Sequence, residues 1–455
     1  MVKTHNICSI ASRRHSNRHG IMLIIVMWIS FGLVSIALLF CDSMMLEYRA
    51  SDNTIAGLQS TSAVEGALRY LCFILENQDE SGYMPDKKSY TSEEISIGNT
   101  LLWIIGNDYN DTASSDQKPV FGIMDECSKI NLNTASLEML EGLPNMTSEF
   151  AAAIIDWRDA DTELTPNGAE SDYYALRDPS YYCKDSAFET VEELRLVQGC
   201  TWDILYGEDS NRNGILDPNE NDGDVSYPAD NSDGKLTKGL LDYVTVYSRE
   251  PNTRDDGSGR INIKNNQEGL TQLLQNTLGQ QRAEQIMQLI GRNPGSINSA
   301  LEFYLRSAMT AQEFSLIADA ISVTDGAYIP GLINVNTASK EVLACIPGIG
   351  DEFAQKLVDI RQNKTADELK SITWVTEALD NEHATQAGPF ITTRTCQFSL
   401  DIAAVNKLGT GYRRDLFVID MSSGESVVVY RRALTRLGWA LGSEIRETYD
   451  LQIEQ

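Results

Sequence analysis

Residues 21–41 read IMLIIVMWISFGLVSIALLFC, a run without any charged side chain. A helix of this length is long enough to span the hydrocarbon core of a bilayer. Residues 1–20 carry four Lys and Arg side chains and no acid, and Asp42 follows the run. This asymmetry predicts a single membrane span with the N-terminus in the cytoplasm and the rest of the chain outside it. An ordinary secretory signal fits less well, because the run is too long and no A-x-A cleavage site follows it.

The helical pattern continues beyond the apolar run, without proline, to about residue 76. Apolar residues recur there at roughly helical spacing: Met45, Leu46, Ile55, Leu58, Leu68, Leu71 and Leu75. One helix over residues 21–76 would be about 80 Å long. We expect its first half to lie in lipid and its second half to pack on a folded domain.

Gly20 stands at the border between the basic leader and the apolar helix. The segment RHGIMLIIVMWISFGLVSIALLF (18–40) resembles the start of the type II secretion system protein K family, the GspK-like minor pseudopilins. Three later stretches are similar to the same family: DWRDAD (156–161), GAESDYY (168–174) and FETVEELRLV (188–197). The resemblance implies a prepilin leader that a prepilin peptidase cuts between Gly20 and Ile21, with the apolar helix retained.

Ile25 occupies the fifth position after the expected cut, where ordinary pilins carry a glutamate. A carboxylate in lipid is costly unless it is paired, and Ile25 offers no such pairing. The missing glutamate is a feature of the K family and implies a position at the tip of the pseudopilus. The resemblance further implies a structural, non-enzymatic component of protein export across the outer membrane. Its partners would be other minor pseudopilins and the pseudopilus, with a single-pass anchor in the inner membrane and a periplasmic body.

Three segments of the body share one pattern. The first begins INLNTASLEML (130–140), the third begins INVNTASKEVL (333–343), and a degenerate second begins INIK (261–264). Thr134 and Thr337 are candidate helix N-caps. In the third segment a Pro-Gly-x-Gly turn then separates two amphipathic stretches. This pattern predicts helix-hairpin-helix (SAM-like) repeats.

A helix-hairpin-helix turn can present backbone N–H groups to phosphates, so a membrane-tethered receptor in DNA uptake is the alternative function. The first repeat, however, has Leu-Pro-Asn-Met (143–146) in place of the glycines. Near the third turn, basic residues are few (Lys340, Lys356 and Arg361), and acids crowd the turn itself (Asp351, Glu352 and Asp359). With a net charge of −28 for the chain, we expect a packing role for the hairpins and no nucleic-acid partner.

The stretch DSNRNGILDPNE (209–220) matches the EF-hand calcium loop at its key positions. The predicted ligands are Asp209, Asn211, Asn213, the carbonyl of Ile215, Asp217 and Glu220. Calcium prefers six to eight oxygen ligands, which this set supplies. The alternative is a solvated loop rich in Asp and Asn. A second oxygen-rich group, consisting of Asp159, Asp161, Glu170 and Asp172, is interpreted as a solvated face.

The C-terminal part changes to strand-like alternation. Three stretches show it: CQFSLDIAAV (396–405), RRDLFVID (413–420) and SVVVYRRAL (426–434). They predict an antiparallel sheet, to which KPVFGIMD (118–125) is a candidate additional strand. The expected fold class is α+β: a long N-terminal transmembrane pilin helix and an antiparallel β pilin head, split by a large, mainly helical insert.

The predicted segments follow from these patterns. They are the leader (1–20), the membrane segment (21–41), the periplasmic part of the helix (42–78), the first part of the head (79–125), the helical insert (126–390) and the C-terminal sheet (391–455).

Histidine and cysteine usage narrows the possible chemistry. Beyond residue 20 the chain has one histidine, His383, so catalytic triads and HExxH zinc sites are not supported. None of the eight cysteines forms a CxxC pair, which argues against a zinc ribbon. In an oxidising compartment Cys183 and Cys200 are candidates for pairing. The alternative is that the cysteines of the body stay as buried thiols.

Overall fold

A computed structural model describes residues 18–107, 118–291 and 294–453 of the chain. It has the expected α+β architecture, with a long N-terminal apolar helix, an antiparallel sheet and helical hairpins. Most of the predicted leader lies outside the described residues.

The helices are α1 (Arg18–Glu76), α2 (Leu137–Glu141), α3 (Ser148–Arg158), α4 (Ser171–Tyr174), α5 (Trp202–Tyr206), α6 (Gln267–Leu278), α7 (Gln280–Ile290), α8 (Ala300–Ser307), α9 (Ala311–Ser315), α10 (Lys340–Ala344), α11 (Gly350–Arg361), α12 (Ala366–Leu369), α13 (Asn381–Ala387) and α14 (Gly442–Ile453). The strands are β1 (Ile95–Ile97), β2 (Thr100–Ile105), β3 (Met124–Asp125), β4 (Ile130–Asn131), β5 (Val244–Thr245), β6 (Arg249–Pro251), β7 (Ile261–Asn262), β8 (Ile321–Ser322), β9 (Tyr328–Pro330), β10 (Ile333–Asn334), β11 (Ile391–Thr392), β12 (Gln397–Asn406), β13 (Arg413–Asp420) and β14 (Val427–Ala433).

Helix α1 contains the predicted membrane segment and continues to Glu76 without interruption. In the part of the chain that the structure describes, it is the one helix long and apolar enough to cross a membrane. Its apolar side chains from Ile21 to Phe40 are exposed, as expected for a segment that needs lipid or other helices around it. Its last five turns are amphipathic, and one face of them is buried.

The main sheet has the strand order β1-β2-β12-β13-β14, and every neighbouring pair is antiparallel. Strand β3 also pairs with β12, with Phe398 opposite Asp125. The three predicted C-terminal strands are therefore confirmed as β12, β13 and β14. The candidate strand over residues 118–125 reaches the sheet only through β3 and a single bridge from Phe121 to Ile105.

The second half of α1 packs on the inner face of this sheet. Ala63, Val64, Ala67, Leu68, Leu71 and Leu75 form one core with side chains of β2, β12 and β13. At the turn between β12 and β13, Gly411 has a positive φ of 68° and lies directly against Ala56 of the helix. A side chain at this position would collide with the helix backbone, so the turn needs glycine.

Two elements of the head were not expected from the sequence. Strands β1 and β2 form a hairpin that supplies the strand next to β12, and residues after β14 form helix α14. Trp103 of β2 and the segment Ala440–Leu441 cover the outer face of the sheet. Strand β2 is apolar on both faces because both faces are covered, so it lacks the alternation by which a half-buried strand is recognised.

The helical insert contains three modules of similar construction. Each begins with one of the two-residue strands β4, β7 and β10, which the repeated sequence marks. Each ends with a second two-residue strand that pairs with the first in parallel: β5, β8 and β11. The helices between the two strands form the predicted hairpins. The first and third modules share one hydrophobic core, and the second has its own.

The helix caps and turns differ in detail from the expectation. Ser136 and Ser339, rather than Thr134 and Thr337, cap the first helices of the first and third modules. Asn145 adopts a positive φ of 57° at the place where the third module has Gly348, with φ 84°. Asparagine tolerates this conformation better than most residues do, so the first module keeps the same turn without the glycine.

The insert joins the head at a buried polar junction. Asp125 is fully buried and accepts hydrogen bonds from Thr395 beside β12 and from Asn334 and Thr337 of the third module. Burial raises the pKa of Asp125 to about 6, although these donors favour its charged form. The carboxylate therefore ties the third module to the sheet.

Replacing Asp125 with Asn should flatten the pH dependence of stability. Because the folded-state pKa lies above the unfolded value of about 3.9, folding retains the proton, and this contribution is lost as pH rises from about 4 to 6. The difference is on the order of 3 kcal/mol. Chemical unfolding of the detergent-solubilised protein should show a decline over this range that Asp125→Asn lacks. The exposed-residue control Asp233→Asn should retain it, and equal slopes in all three proteins would contradict the prediction.

Candidate functional site

The predicted calcium loop follows α5 and ends in a 3₁₀ turn at Pro218–Glu220, and a regular second EF-hand helix is absent at this point. Four of the expected ligand side chains are nearly inaccessible to solvent: Asp209, Asn211, Asn213 and Glu220. A simple solvated loop would expose them. Gly214 has the positive φ of 70° that the sharp EF-hand turn requires.

Hydrogen bonds within the loop draw its polar groups toward one centre. The carboxylate of Asp209 accepts the backbone N–H groups of Asn213 and Gly214, at 3.0 and 2.8 Å. Glu220 closes the loop by accepting the N–H and hydroxyl of Ser210 and the N–H of Asp217. The first and last predicted ligands are thus held in place by the loop backbone.

The electrostatics of the loop favour a bound cation. Burial, together with the carboxylates of Asp242 and Glu220, raises the pKa of Asp209 to about 7, and burial also raises the pKa of Glu220. The side-chain oxygen of Asn211 is buried and has no hydrogen-bond partner. A buried oxygen without a donor is costly, and a metal ion would satisfy it. The carboxylates of Asp209, Asp217 and Glu220 are nevertheless not among the described groups whose ligand atoms all lie within 4.8 Å of one another.

The loop also rests on the outer face of the sheet. Arg414 of β13 is completely buried, pairs with Asp401 at 2.6 Å and donates to the backbone carbonyls of Asn211 and Arg212. Asn211 further donates to the carbonyl of Trp439. The candidate metal loop therefore belongs to the insert in sequence and is held by the head in space.

A second group of carboxylates is gathered more tightly than the sequence indicated. Carboxylate oxygens of Asp159, Asp161 and Glu170 lie within 4.8 Å of one another, as do ligand atoms of Glu170, Cys183 and Asp185. Asp172, which the sequence grouped with them, is exposed and is not in either set. The solvated face suggested by the sequence and a cation site are both compatible with these half-buried and exposed acids.

Asp156 adds a separate observation at the second group. It is completely buried, and its Oδ2 has no hydrogen-bond partner. Burial and the Asp156 charge both contribute to raising the pKa of Glu170, and burial and neighbouring acids raise the pKa of Cys183 to about 12. Since that thiol stays neutral, the group offers mainly hard oxygen ligands, which suit calcium better than zinc.

The basic residues of the hairpins are used inside the protein. Arg361 is buried and donates to the carbonyls of Val335 and Ala338. Arg158 makes the equivalent bonds to Leu132 and Ala135 in the first module. These guanidinium groups fix the start of each module to its second helix and are not available to phosphates.

The turn of the third hairpin is also covered. A Cβ atom on Gly348 would lie 2.7 Å from the carbonyl of His383 in α13, so this helix packs directly against the turn. Lys356 pairs with Glu352 at 2.6 Å, while Asp351 and Asp359 are exposed. The surface at this turn does not present the positive charge that phosphate binding requires.

Comparisons with known proteins agree with this architecture. Residues 131–206 match the family model of type II secretion system (T2SS) protein K, and residues 331–390 match the helix-hairpin-helix motif. Type II secretion system protein K of Klebsiella pneumoniae is 36% identical over 66 residues, which are 14% of this chain and 20% of that protein. The chain thus aligns with about a fifth of that relative's length.

One solved structure is similar over most of the chain. It is the GspK-GspI-GspJ complex from the enterotoxigenic Escherichia coli type 2 secretion system, with a TM-score of 0.41 and 11% identity over 85% of this chain and 99% of the matched chain. At these values the likeness does not by itself establish a common fold.

The described fold defines a class: a protein with a membrane-length helix, an antiparallel sheet on that helix and helix-hairpin-helix modules inserted in the sheet. The sequence matches support a type II secretion protein K-like family and confirm the resemblance noted from the sequence.

The full-length protein in detergent should not bind a fluorescent DNA duplex at physiological salt, because Arg361 and Lys356 of the third hairpin are already paired and the net charge of the chain is −28. Fluorescence anisotropy measures this. Micromolar binding that the double change Lys340→Ala and Lys356→Ala abolishes would favour the DNA-receptor function instead. Those two side chains are suitable for the test because Lys356 is exposed and Lys340 is only half-buried, whereas Gly348 is packed against α13.

Proposed function

We propose that this chain is a minor pseudopilin of a type II secretion system, a structural component of protein export rather than an enzyme. The observation that carries the proposal is the family-model match over residues 131–206. Those residues form the first part of the insert. The head that carries the insert packs on a membrane-length helix. The proposed location is the inner membrane, crossed once, with the body in the periplasm.

The free face of α1 supports contact with other helices. Ile55, Leu58 and Phe73 are at least half exposed, on the side of the helix away from the sheet. Apolar side chains on one face of a helix are a suitable contact for a neighbouring amphipathic helix. We propose that the N-terminal helices of other minor pseudopilins pack here, which would include this chain in the pseudopilus.

Ile25 supports a position at the tip. A carboxylate in lipid needs a charged partner, such as the α-amine of a neighbouring subunit. A chain with isoleucine at this position makes no such bond to a subunit beyond it, and a terminal subunit needs none. The free α-amine at Ile21, created by cleavage after Gly20, is the group that the next subunit would pair with.

We also propose calcium as a structural ion of the insert. The loop Asp209–Glu220 supplies one set of oxygen ligands and the group around Glu170 supplies a second. The buried oxygens of Asn211 and Asp156, each without a hydrogen-bond partner, support an ion at each place. Calcium would offset the repulsion among the carboxylates and fix both segments in their folded conformation.

Calcium should stabilise the protein, because an ion that binds only the folded state raises the free energy of unfolding by about 2.7 kcal/mol at a hundredfold excess over Kd. Calorimetric titration of the full-length protein in detergent should show binding at both places. Glu220→Gln should remove calcium binding at the loop, and Glu170→Gln should remove it at the other group. The control Glu141→Gln, which changes an exposed residue, should retain binding at both places.

Thermal melting gives the second readout for the same variants. Equal melting midpoints with calcium and with chelator would show that both groups are acidic surfaces without a metal. If calcium raises the melting midpoint of Glu220→Gln as much as that of the wild type, calcium does not bind at the loop. That result would leave the group around Glu170 as the binding site.

Cleavage after Gly20 provides the test of the secretion function. A strain lacking the gene should retain its type II substrates in the periplasm, and the wild-type chain should restore export. The Gly20→Val chain should not restore export, because a branched side chain at the cleavage site blocks peptidase access. The control Gly32→Val, within the same helix, should be cleaved normally. Mass spectrometry of the purified chains shows whether Ile21 is the N-terminus.

Two outcomes would overturn this proposal. One is an intact leader, or cleavage after Cys41, in the wild-type chain. The other is a deletion strain that exports its proteins normally and loses DNA uptake, which would identify the chain as a DNA receptor.

A further inference from the structure

Two cysteines lie where the helical insert leaves and re-enters the sheet. Strand β3 pairs with β12 in the register Ser399 to Met124 and Phe398 to Asp125. Cys127 lies in the 3₁₀ turn Glu126–Ser128 that follows β3, and Cys396 immediately precedes β12. The pairing of β3 with β12 therefore brings both cysteines to the same end of this strand pair.

The contacts around these cysteines bring the two residues beside each other. The Cys396 backbone N–H faces the Cys127 sulfur, and the Cys127 thiol lies 3.5 Å from Oε1 of Gln397, the residue after Cys396. The thiols of Cys127 and Cys396 also interact electrostatically, and both residues are buried. The two cysteines therefore lie beside each other in a buried part of the junction.

We propose that Cys127 and Cys396 form an intramolecular disulfide that closes the base of the insert. The step is a thiol–disulfide exchange in which each thiol gives up one proton and one electron and the two sulfur atoms become bonded. The electrons reduce the disulfide of an external oxidant, such as a thiol–disulfide oxidoreductase or oxidised glutathione, to two thiols. The disulfide requires an oxidising compartment, and in this respect the inference rests on the proposed periplasmic location of the body.

The other cysteines of the body have different surroundings. The sulfur of Cys183 faces the carbonyls of Asp156 and Ala169, that of Cys200 faces Thr201, and that of Cys345 faces Glu341. All the described cysteines are free thiols, Cys127 and Cys396 included. The sulfur atoms of Cys183 and Cys200 face different carbonyls, so the structure does not favour the pairing that the sequence suggested. These three cysteines serve as internal controls for the pair at the junction.

The timing of the reaction follows from burial. Burial raises the pKa of Cys127 well above its ordinary value and that of Cys396 to about 12, so the reactive thiolate is scarce once the protein is folded. Oxidation is therefore expected while the junction is still open, as the C-terminal strands pair with the rest of the head. Once formed, the bond is shielded from reductants and joins the two ends of a long insert, which restricts the unfolded chain.

The test uses full-length protein purified from membranes in detergent. The protein is denatured without reductant, free thiols are alkylated, and the digest is analysed by mass spectrometry. We expect the peptides of Cys127 and Cys396 to be joined, with a mass two hydrogens below their sum, and Cys183, Cys200 and Cys345 to be alkylated. Cys127→Ser should leave Cys396 alkylated and the reverse change should expose Cys127, whereas Cys345→Ser should leave the link in place.

A second arm separates this inference from the proposed location. The denatured, reduced full-length chain is refolded in detergent with a mixture of reduced and oxidised glutathione. Formation of the same link supports the inference wherever the body resides in the cell. Alkylation of both cysteines in this arm, or a link of either one to another cysteine, would overturn it. A leader that stays uncut in cells would instead count against the pseudopilin function.

Discussion

The buried charges at the junction are the constraint on which the arrangement of head and insert depends. Asp125 is the last residue of β3 and Glu126 follows it, at the point where the chain passes from the head into the insert. Both side chains are nearly inaccessible to solvent. Asp125 takes its hydrogen bonds from the third module and from Thr395, and Glu126 takes its own from Thr245 of the first module, Ser399 of β12 and Lys129. Because a buried carboxylate without donors is strongly destabilising, the modules must close over the junction in this one arrangement.

An element of the fold could be predicted from the sequence when its pattern lies within one continuous stretch of the chain. Helix α1, strands β12 to β14 and the openings of the hairpins are confirmed, since each is a periodic pattern within one stretch of chain. The hairpin β1–β2 was missed because Thr100–Ile105 is apolar on both faces. The closing strands β5, β8 and β11 were missed because two residues that pair in parallel with a partner 58 to 114 positions away leave no local pattern.

The candidate sites also differ in whether a local sequence pattern reveals them. The loop at Asp209 follows a fixed spacing and is visible in the sequence, and the structure adds its burial and its contact with the head. Asp156 lies near the end of α3, three residues before Asp159, yet its burial beneath Gly168 appears only after folding. Cys127 and Cys396 are 269 positions apart, so their proximity follows from the pairing of β3 with β12 and from nothing in either stretch alone.

The insert is held to the head at several places among the described residues, which is consistent with a packing role for its hairpins. At the inner junction, Asp125 and Glu126 connect the first and third modules to the sheet. On the outer face, Arg414 holds the backbone of the loop at Asn211. Arg158 and Arg361 meanwhile donate to carbonyls within their own modules. A body fixed at several points, with these two guanidinium groups used internally, keeps one orientation relative to α1. Such rigidity suits a subunit that must present a defined surface at the end of an assembly, whereas a nucleic-acid receptor needs those cations at its surface.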